Sequence, residues 1–192
     1  LPGAEKIAVT TDSFVVTPLF FPGGDIGRLC VCGTVNDLLM SGAAPRYLTC
    51  GFILEEGAET EELEKIACSM AETAKEAGVR IVAGDTKVVE GEGGVLINTA
   101  GVGFVPPEVS VGPENCREGD VVLVSGFLGE HHAAILSDRM GIENTIRSDC
   151  APLGEMVAAM LKNGVRVHAM RDVTRGGLAT VLNEFASASG CR

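Results

Sequence analysis

Apolar, β-branched stretches broken by short polar islands dominate the first hundred residues of the chain. Stretches of this length and residue type predict strands, and the polar residues inside them mark turns, bulges or functional positions. The glycine-rich sequence EGEGG, at 90–94, predicts a hairpin turn between the last two of these strands. The expected strands are residues 7–16, 47–54, 80–83, 87–89 and 95–105.

Two segments between these strands repeat apolar residues at helical spacing. Residues 26–39 follow Asp25, whose residue type commonly caps helices. Residues 61–74 follow Thr60, have glutamates in their first turn and end shortly before Gly78. We therefore expect two amphipathic helices, with Asp25 and Thr60 as their N-terminal caps, each packing one face against the strands.

A change of pattern near residue 106 marks a domain boundary. Two prolines, Pro106 and Pro107, end the last strand, and a polar connector follows. Beyond it, predicted strands at 120–125 and 165–171 alternate with three helical patterns, which indicates a second α/β unit. The expected division is a domain at 1–106, a connector at 107–118 and an incomplete second domain at 119–192.

The composition indicates an acidic globular chain. Hydrophobic residues make up 46% and charged residues 21% of the 192 positions, which is typical of a folded domain. The net charge of −11 and the near absence of Trp and Tyr argue against nucleic-acid binding, which uses cationic patches and stacking aromatics. No apolar run approaches the roughly 20 residues that span a bilayer, so we expect a cytoplasmic protein without a membrane segment. Its seven scattered cysteines are expected to be reduced thiols packed as small apolar residues.

Four short polar islands interrupt the apolar elements, and each contains a carboxylate. Taken singly, each has an ordinary explanation as a turn brace, a solvated helix face or a helix start. Three of them, however, lie at or inside strand ends, where open α/β sheets place ligands. Two carboxylates about 4 Å apart repel by roughly 4 kcal/mol, which a divalent cation would offset. The carboxylates are Asp12 in TTDSF, Asp37 in TVNDL, Asp85 in GDTK and Asp172 in RDVTRGG.

Oxygen ligands without a neighbouring histidine or paired cysteines favour Mg²⁺ over zinc. Mg²⁺ held by carboxylates shares its coordination shell with substrate phosphates, and Lys87 supplies the charge that a transferring phosphoryl group needs. Asp85 and Lys87 are thus predicted to be a metal ligand and a phosphate ligand. The loop GFLGEHH, at 126–132, is either a phosphate-binding turn or a plain one. The residues predict a site for Mg²⁺ and phosphate, with a nucleotide as the expected ligand.

Seven blocks of sequence, in chain order, resemble those of one enzyme family over nearly the whole chain. The blocks are TTDSFVVTPLFFPGGDIG, CGTVNDLLMSGA, GFILEEG, AGDTKVV, VSGFLGEHHAAIL, RSDCAPL and MRDVTRGGLATVLNE. They resemble the HypE family, the carbamoyl dehydratases of nickel–iron hydrogenase maturation. Selenophosphate synthetases share the TTD-F, ND and DVT islands, whereas GDTKVV and TPLFFPGGDIG are similar to the hydrogenase branch.

The resemblance implies a two-domain α/β fold of the α+β type, like that of aminoimidazole ribonucleotide synthetase. Its N-terminal domain has a mixed or antiparallel sheet with helices on one face, and this sheet pairs with a second subunit. The implied reaction uses ATP, with Mg²⁺, to dehydrate a carbamoyl group on a C-terminal cysteine to a thiocyanate, which supplies a cyano ligand. The implied partners are a second copy in a homodimer, the carbamoyltransferase HypF and the HypC–HypD scaffold complex.

The family's functional residues transfer by motif. Lys87 is implied as the catalytic residue, in contact with the phosphates or the carbamoyl group, while Thr174 and Arg175 either contribute to the site or only begin a helix. The implied nucleotide-binding residues are Asp12, Asn36, Asp37, Gly84, Asp85, Thr86, Lys87 and Asp172, and the four aspartates among them are also the implied metal ligands.

The chain departs from the family pattern near its end. The family's tail is Pro-Arg-Xaa-Cys, whereas Cys191 precedes the final arginine in a Ser- and Ala-rich segment without proline. We therefore expect that Cys191 is not the carbamoyl acceptor and that the sequence is an internal fragment. Two other interpretations stay open: an ATP-using synthetase or kinase of the same fold, similar to selenophosphate synthetase, and a non-catalytic dimerisation and docking module.

Overall fold

Strands and helices alternate through the first half of the computed structural model, which describes residues 6–191. The strands are β1 (Lys6–Phe14), β2 (Phe20–Phe21), β3 (Gly24–Asp25), β4 (Ala44–Glu55), β5 (Arg80–Val89) and β6 (Val95–Val105). The helices are α1 (Ile26–Met40), α2 (Thr60–Glu76), α3 (Glu130–Arg139), α4 (Gly154–Lys162) and α5 (Gly177–Ser189), and Pro113–Asn115 forms a 3₁₀ turn.

Four strands form one mixed sheet in the order β1, β6, β4, β5. Strand β6 is antiparallel to both β1 and β4, whereas β4 and β5 are parallel because α2 crosses over between them. Helix α1 packs on β1, β6 and β4, and α2 packs on α1 and β5, so both helices cover the same face. This mixed sheet with helices on one face confirms the expected fold class.

The EGEGG turn does not join a hairpin, so that prediction was wrong. Strand β4 lies between β5 and β6 in the sheet. The crossover through α2 places β5 on one side of β4, which leaves the other side of β4 open for β6. Residues 80–83 and 87–89, predicted as separate strands, are the two ends of the continuous strand β5.

The predicted helix ends are largely confirmed. Asp25 caps α1, with its Oδ1 accepting hydrogen bonds from the backbone N–H groups of Gly27 (2.7 Å) and Arg28 (3.0 Å). Thr60 is the first residue of α2 rather than its cap, because Glu59 holds the capping position without a side-chain bond. Gly78 follows α2 with a φ of +69°, which is the left-handed conformation that ends helices.

Alternate residues of β6 point into the core beneath the two helices. Val95, Ile97 and Thr99 are each at most 4% exposed, and the Thr99 hydroxyl shares a hydrogen bond of 2.5 Å with Thr34 of α1. The residues between them are half-buried or exposed. The helix-facing side of the sheet is therefore a closed core, whereas within residues 6–191 the opposite side, here called the outer face, has no covering layer.

The close approach of α1 and α2 depends on Gly27. A Cβ atom at this position would lie 2.5 Å from the Ile66 carbonyl oxygen of α2 and 3.0 Å from the Met70 Cγ. We expect Gly27→Ala to lower the free energy of unfolding by about 1–3 kcal/mol, since the backbone of α2 must move to admit the methyl group. Urea unfolding monitored by circular dichroism measures this change.

Gly154 offers the matched control for Gly27. It also lies in a helix, the first residue of α4, but a Cβ atom there has nothing within 4 Å. Gly154→Ala should leave stability unchanged or raise it slightly, because alanine favours the helix. An equal loss of stability in both variants would contradict the steric explanation.

The second half contains the three expected helices but not the two expected strands. Residues 120–125 and 165–171 are irregular, and Val121 is 81% exposed. A strand requires a neighbour for its backbone hydrogen bonds, and neither segment has a ladder partner in the described part of the chain. The apolar pattern of these segments was therefore misleading about their conformation.

Within residues 6–191, every helix is too short or too polar to cross a lipid bilayer.

Residues around Ser148 attach the second half to the first. The Ser148 backbone N–H donates to the Pro22 carbonyl (2.7 Å), and the Ser148 hydroxyl shares a hydrogen bond with His131 Nδ1 (2.9 Å). The His131 ring also meets the Phe21 ring edge to face, with the centroids 5.3 Å apart. His131 of the GFLGEHH loop is thus a structural contact between the two halves.

Candidate functional site

A cavity of about 1080 Å³ opens between β1 and the loop that precedes α5. Its volume is of the order of that of small-molecule sites in proteins. One wall is the edge strand β1, and the other belongs to the second half of the chain. Its polar lining is made of Lys6, Thr10, Thr11, Asp12, Ser13, Asp37, Ser41, Ser110, Glu114, Arg171, Asp172, Thr174 and Arg175.

Three of the four predicted carboxylates line this cavity. Asp12 pairs in the sheet with the buried Thr99, so its side chain is on the helix-facing side of β1. Asp37 projects from α1, and its Oδ2 accepts a hydrogen bond of 2.8 Å from the Thr10 hydroxyl. Asp172 lies on the opposite wall. The fold therefore brings together groups that are up to 160 positions apart in sequence.

The pKa of Asp37 reflects the charges that surround it in the cavity. Partial burial raises the pKa of Asp37, and the negative charges of Asp172 and Asp12 raise that pKa further. The hydrogen bond from Thr10 and the positive charge of Arg171 act in the opposite direction. Asp37 therefore senses the negative charges of the other two carboxylates, and a bound cation would relieve this repulsion.

The donor set fits Mg²⁺ by its chemistry. Mg²⁺ takes oxygen ligands and usually binds through one or two carboxylates together with waters and substrate phosphates. Within residues 6–191 no three His, Cys, Asp or Glu side chains converge closely enough to form a metal cluster by themselves. Asp12, Asp37 and Asp172 therefore line one cavity without forming a closed metal cluster in the described part of the chain.

Asn36, predicted to position the nucleotide, is engaged elsewhere in this structure. Its Nδ2 donates to the Ala151 carbonyl (3.0 Å), and its Oδ1 accepts from the Leu153 N–H (3.0 Å). Both ends of the amide thus hold the segment that leads into α4. Asn36 positions the second half of the chain beside α1, one residue away from Asp37.

The GDTK motif lies far from the cavity in the same chain. Asp85 on the edge strand β5 is in register, through Gly51 and Asn98, with Ser13 on the opposite edge. Three strand spacings separate those edges, or about 14 Å. Asp85 also points to the outer face, whereas Asp12 points to the helix side. One chain therefore does not bring Asp85 to the other three carboxylates, contrary to the expected four-aspartate set.

The alternation of β5 divides the motif between two surfaces. Asp85 and Lys87 both project from the outer face, where Lys87 Nζ lies 2.6 Å from Asp85 Oδ2. The hydrogen bond from Lys87 lowers the pKa of the Asp85 carboxyl. Gly84 and Thr86 instead face an apolar cleft of about 820 Å³ between β5 and α2. The lysine and the carboxylate are thus paired and solvent-exposed.

Two residues at the cavity were missed from the sequence. Thr10 is two residues before Asp12, so both share the same side of β1, and this spacing was a usable signal. Arg171 precedes Asp172 directly but was interpreted as part of a strand end. Asn98 lies outside the cavity, on the outer face, where its Nδ2 donates to the Asp12 backbone carbonyl (2.9 Å).

Family models match both halves of the chain. Residues 1–105 match the N-terminal domain of AIR synthase related proteins, and residues 117–192 match the C-terminal domain of the same family. Thiamine monophosphate kinase from Stenotrophomonas maltophilia has the same fold, with a TM-score of 0.81 at 22% identity over 99% of this chain and 63% of its own.

The curated relatives are considerably more similar. The carbamoyl dehydratase HypE of Escherichia coli is 51% identical over 97% of this chain and 56% of its own length. That of Cupriavidus necator is 54% identical over 99% of this chain and 55% of its own. The chain therefore spans little more than half the length of the relatives that it matches.

Two solved structures of relatives describe ligands or partners. A crystal structure of HypE in complex with ATP superposes with a TM-score of 0.93 at 48% identity, covering 98% of this chain and 58% of that one. A HypE–HypF complex gives a TM-score of 0.92 at 52% identity, covering 96% and 62% respectively. ATP is thus bound by a relative, and HypF is a relative's partner.

Proposed function

Since the chain belongs to the family of AIR synthase related proteins, with both of its domains matched, we propose that the protein performs the ATP-dependent dehydration of a carbamoylated cysteine to a thiocyanate. This reaction supplies the cyano ligand during nickel–iron hydrogenase maturation. The observation that supports it most directly is the cavity lined by Asp12, Asp37 and Asp172, in a chain about half identical to carbamoyl dehydratases. The proposal gives Cys191 no role as the carbamoyl acceptor.

In this proposal the cavity holds the triphosphate of ATP. Asp12, Asp37 and Asp172 bind Mg²⁺, which neutralises charge on the phosphate oxygens. Thr10 fixes the Asp37 carboxylate by its 2.8 Å hydrogen bond, so that the ligand loses little freedom when the ion binds. Arg171 and Arg175, on the facing wall, offer positive charge to the phosphates.

The chemical step is the activation of a leaving group. The carbamoyl oxygen attacks the γ-phosphorus of ATP, and ADP departs. The oxygen then leaves as phosphate while the nitrogen loses its protons, which completes the S–C≡N group. Lys87 is proposed to stabilise the negative charge of the transferring phosphoryl group.

A second copy of the chain is proposed to supply Asp85 and Lys87. Within one chain, Lys87, the proposed catalytic residue, is on the opposite edge and the opposite face of the sheet from Asp12, so it can act at the cavity only from another copy. The outer face is partly apolar, with Val9 70% and Ile53 42% exposed, which is typical of a surface that another subunit covers. A homodimer that pairs these sheets, with β5 of one copy beside β1 of the other, completes each site.

A charge on the outer face should therefore disrupt the dimer. Ile53→Lys places an ammonium group in the centre of the proposed interface, and we expect a dimer dissociation constant at least about 100-fold higher. Sedimentation velocity over a range of concentrations measures it. Leu182→Lys on α5, where the leucine is 37% exposed, is the matched control and should leave the dimer intact. A wild-type protein that is monomeric at all concentrations would exclude this assembly.

Phosphate release coupled to a mass change tests the reaction. The full-length protein, carbamoylated on its C-terminal cysteine, should release one phosphate per chain when given Mg²⁺ and ATP and should lose the mass of one water. The uncarbamoylated protein is the control. Phosphate release only with selenide or with thiamine monophosphate would indicate a different enzyme of this fold. A dimer without nucleotide affinity would favour the docking module instead.

The proposed partners follow from this reaction. A carbamoyltransferase, HypF, must deliver the carbamoyl group, and the HypC–HypD scaffold complex would accept the cyano group for iron. We propose a cytoplasmic location, because ATP and these partners would be available there.

A further inference from the structure

Two side chains on one face of α1, here called the clamps, form hydrogen bonds with the backbone of residues 150–153. Arg28 Nε donates to the Cys150 carbonyl at 3.1 Å. Two turns further along, the amide of Asn36 bonds to the backbone of Ala151 and Leu153, each at 3.0 Å. The segment is therefore held along α1 by three hydrogen bonds to its main chain.

Cys32 lies midway between these two clamps. Arg28, Cys32 and Asn36 are spaced four residues apart, so their side chains share one face of α1. The Cys32 side chain therefore lies on the face of α1 along which the 150–153 segment runs, beside Cys150 and between the two clamps. Both are free thiols. This arrangement joins residue 32 of the first half to residue 150 of the second, across the contact between the halves.

The two thiols differ in exposure and acidity. Cys32 is 2% exposed, whereas Cys150 is only half-buried. The hydrogen bond from Cys32 lowers the pKa of the Cys150 thiol, and the positive charge of Arg28 acts in the same direction. The same contact, together with burial, raises the pKa of Cys32. Cys150 is thus the nucleophilic and accessible member of the pair, and Cys32 is the protected one.

We propose that Cys32 and Cys150 form a reversible disulfide that fastens the second half of the chain to α1. With hydrogen peroxide as the oxidant, the Cys150 thiolate attacks one peroxide oxygen and forms an S–O bond. The O–O bond breaks, hydroxide departs, and Cys150 becomes a sulfenic acid. The Cys32 thiol then attacks this sulfur, the S–S bond forms, and the oxygen departs as water with the proton of Cys32. Two thiols are oxidised, and one peroxide is reduced to two waters.

The disulfide would act on the geometry of the nucleotide cavity. Asp37 is on the same helix as Cys32, and Asp172 belongs to the half of the chain that contains Cys150. Fixing α1 to the 150–153 segment therefore restrains the movement of one cavity wall against the other. Reduction by a dithiol restores this freedom, so the redox state of the pair sets how readily the cavity opens.

Peptide mapping of the full-length protein tests the pair directly. The reduced protein is treated with equimolar hydrogen peroxide, its remaining thiols are alkylated, and the digest is examined by mass spectrometry. We expect a linked peptide pair containing Cys32 and Cys150, two hydrogens lighter than the separate peptides and released by dithiothreitol. Trypsin cleavage after Arg147 should also slow by about tenfold in the oxidised protein, because local opening of this segment is restrained.

Variants show whether the link is specific. Cys68→Ser, at an exposed cysteine on α2, is the matched control and should leave the linked peptide unchanged. Cys32→Ser and Cys150→Ser should each abolish it, and the wild-type map decides the question even if either variant fails to fold. Recovery of both Cys32 and Cys150 as alkylated peptides after oxidation would overturn the proposal. So would oxidation of Cys150 to a sulfinic acid without a link to Cys32.

Discussion

Asp37→Asn is expected to lower ATP-dependent turnover of the full-length protein by at least about 100-fold, because the amide cannot replace an anionic ligand of Mg²⁺. The substitution keeps the shape of the side chain, and its carbonyl can still accept the hydrogen bond from Thr10. Phosphate release under single-turnover conditions measures the loss. Glu76→Gln, on the exposed end of α2 and away from the cavity, is the matched carboxylate control and should retain turnover.

The same substitution should stabilise the protein in the absence of nucleotide. Since burial and the charges of Asp172 and Asp12 raise the pKa of Asp37, its ionised form opposes folding. A carboxyl whose pKa is raised by folding lowers the free energy of unfolding once the pH exceeds its pKa in the unfolded chain. Asp37→Asn should therefore be more stable than wild type at neutral pH. This difference should vanish in acid, where Asp37 is protonated in both states. Urea unfolding at several pH values checks this, and a variant less stable than wild type at neutral pH would contradict the assignment.

Lys87→Ala is expected to remove most turnover while leaving both the fold and the dimer intact. The lysine is 68% exposed, and within residues 6–191 its ion-pair partner is Asp85, which is 69% exposed, so its loss should not change the urea midpoint. Its charge matters only when a phosphoryl group lies beside it in the transition state. Lys65→Ala on α2 is the matched surface control. Unchanged turnover in Lys87→Ala would exclude the catalytic role.

Mixing the two inactive variants shows whether the site is shared between subunits. A mixed dimer of Lys87→Ala and Asp37→Asn contains one site with intact carboxylates from one copy and an intact lysine from the other. After random exchange of subunits, about a quarter of wild-type turnover should return. If Lys87 acted on the cavity of its own chain, every site in the mixed dimers would lack one group and no activity would return.

The elements of the fold were largely readable from the pattern of the chain. Both helices of the first half obey the helical period, and Asp25 caps α1 as its residue type predicts. Which strands pair could not be predicted, because the local sequence pattern is the same whether β6 pairs with β5 in a hairpin or with β4, as it does in the structure. The failure at 120–125 has a similar cause, since an apolar β-branched run becomes a strand only when another backbone lies beside it.

The sequence by itself determined which chemical groups are available to the proposed site. The carboxylates in TTDSF, TVNDL and RDVTRGG predicted oxygen ligands for a metal and phosphate, because grouped carboxylates without a neighbouring histidine or paired cysteines favour Mg²⁺. Only the tertiary structure decided which groups meet. The alternation of side chains across a sheet and the crossover through α2 send Asp12 and Asp85 to opposite faces and opposite edges. Proximity depends on pairing and register, which are set by contacts distant in sequence.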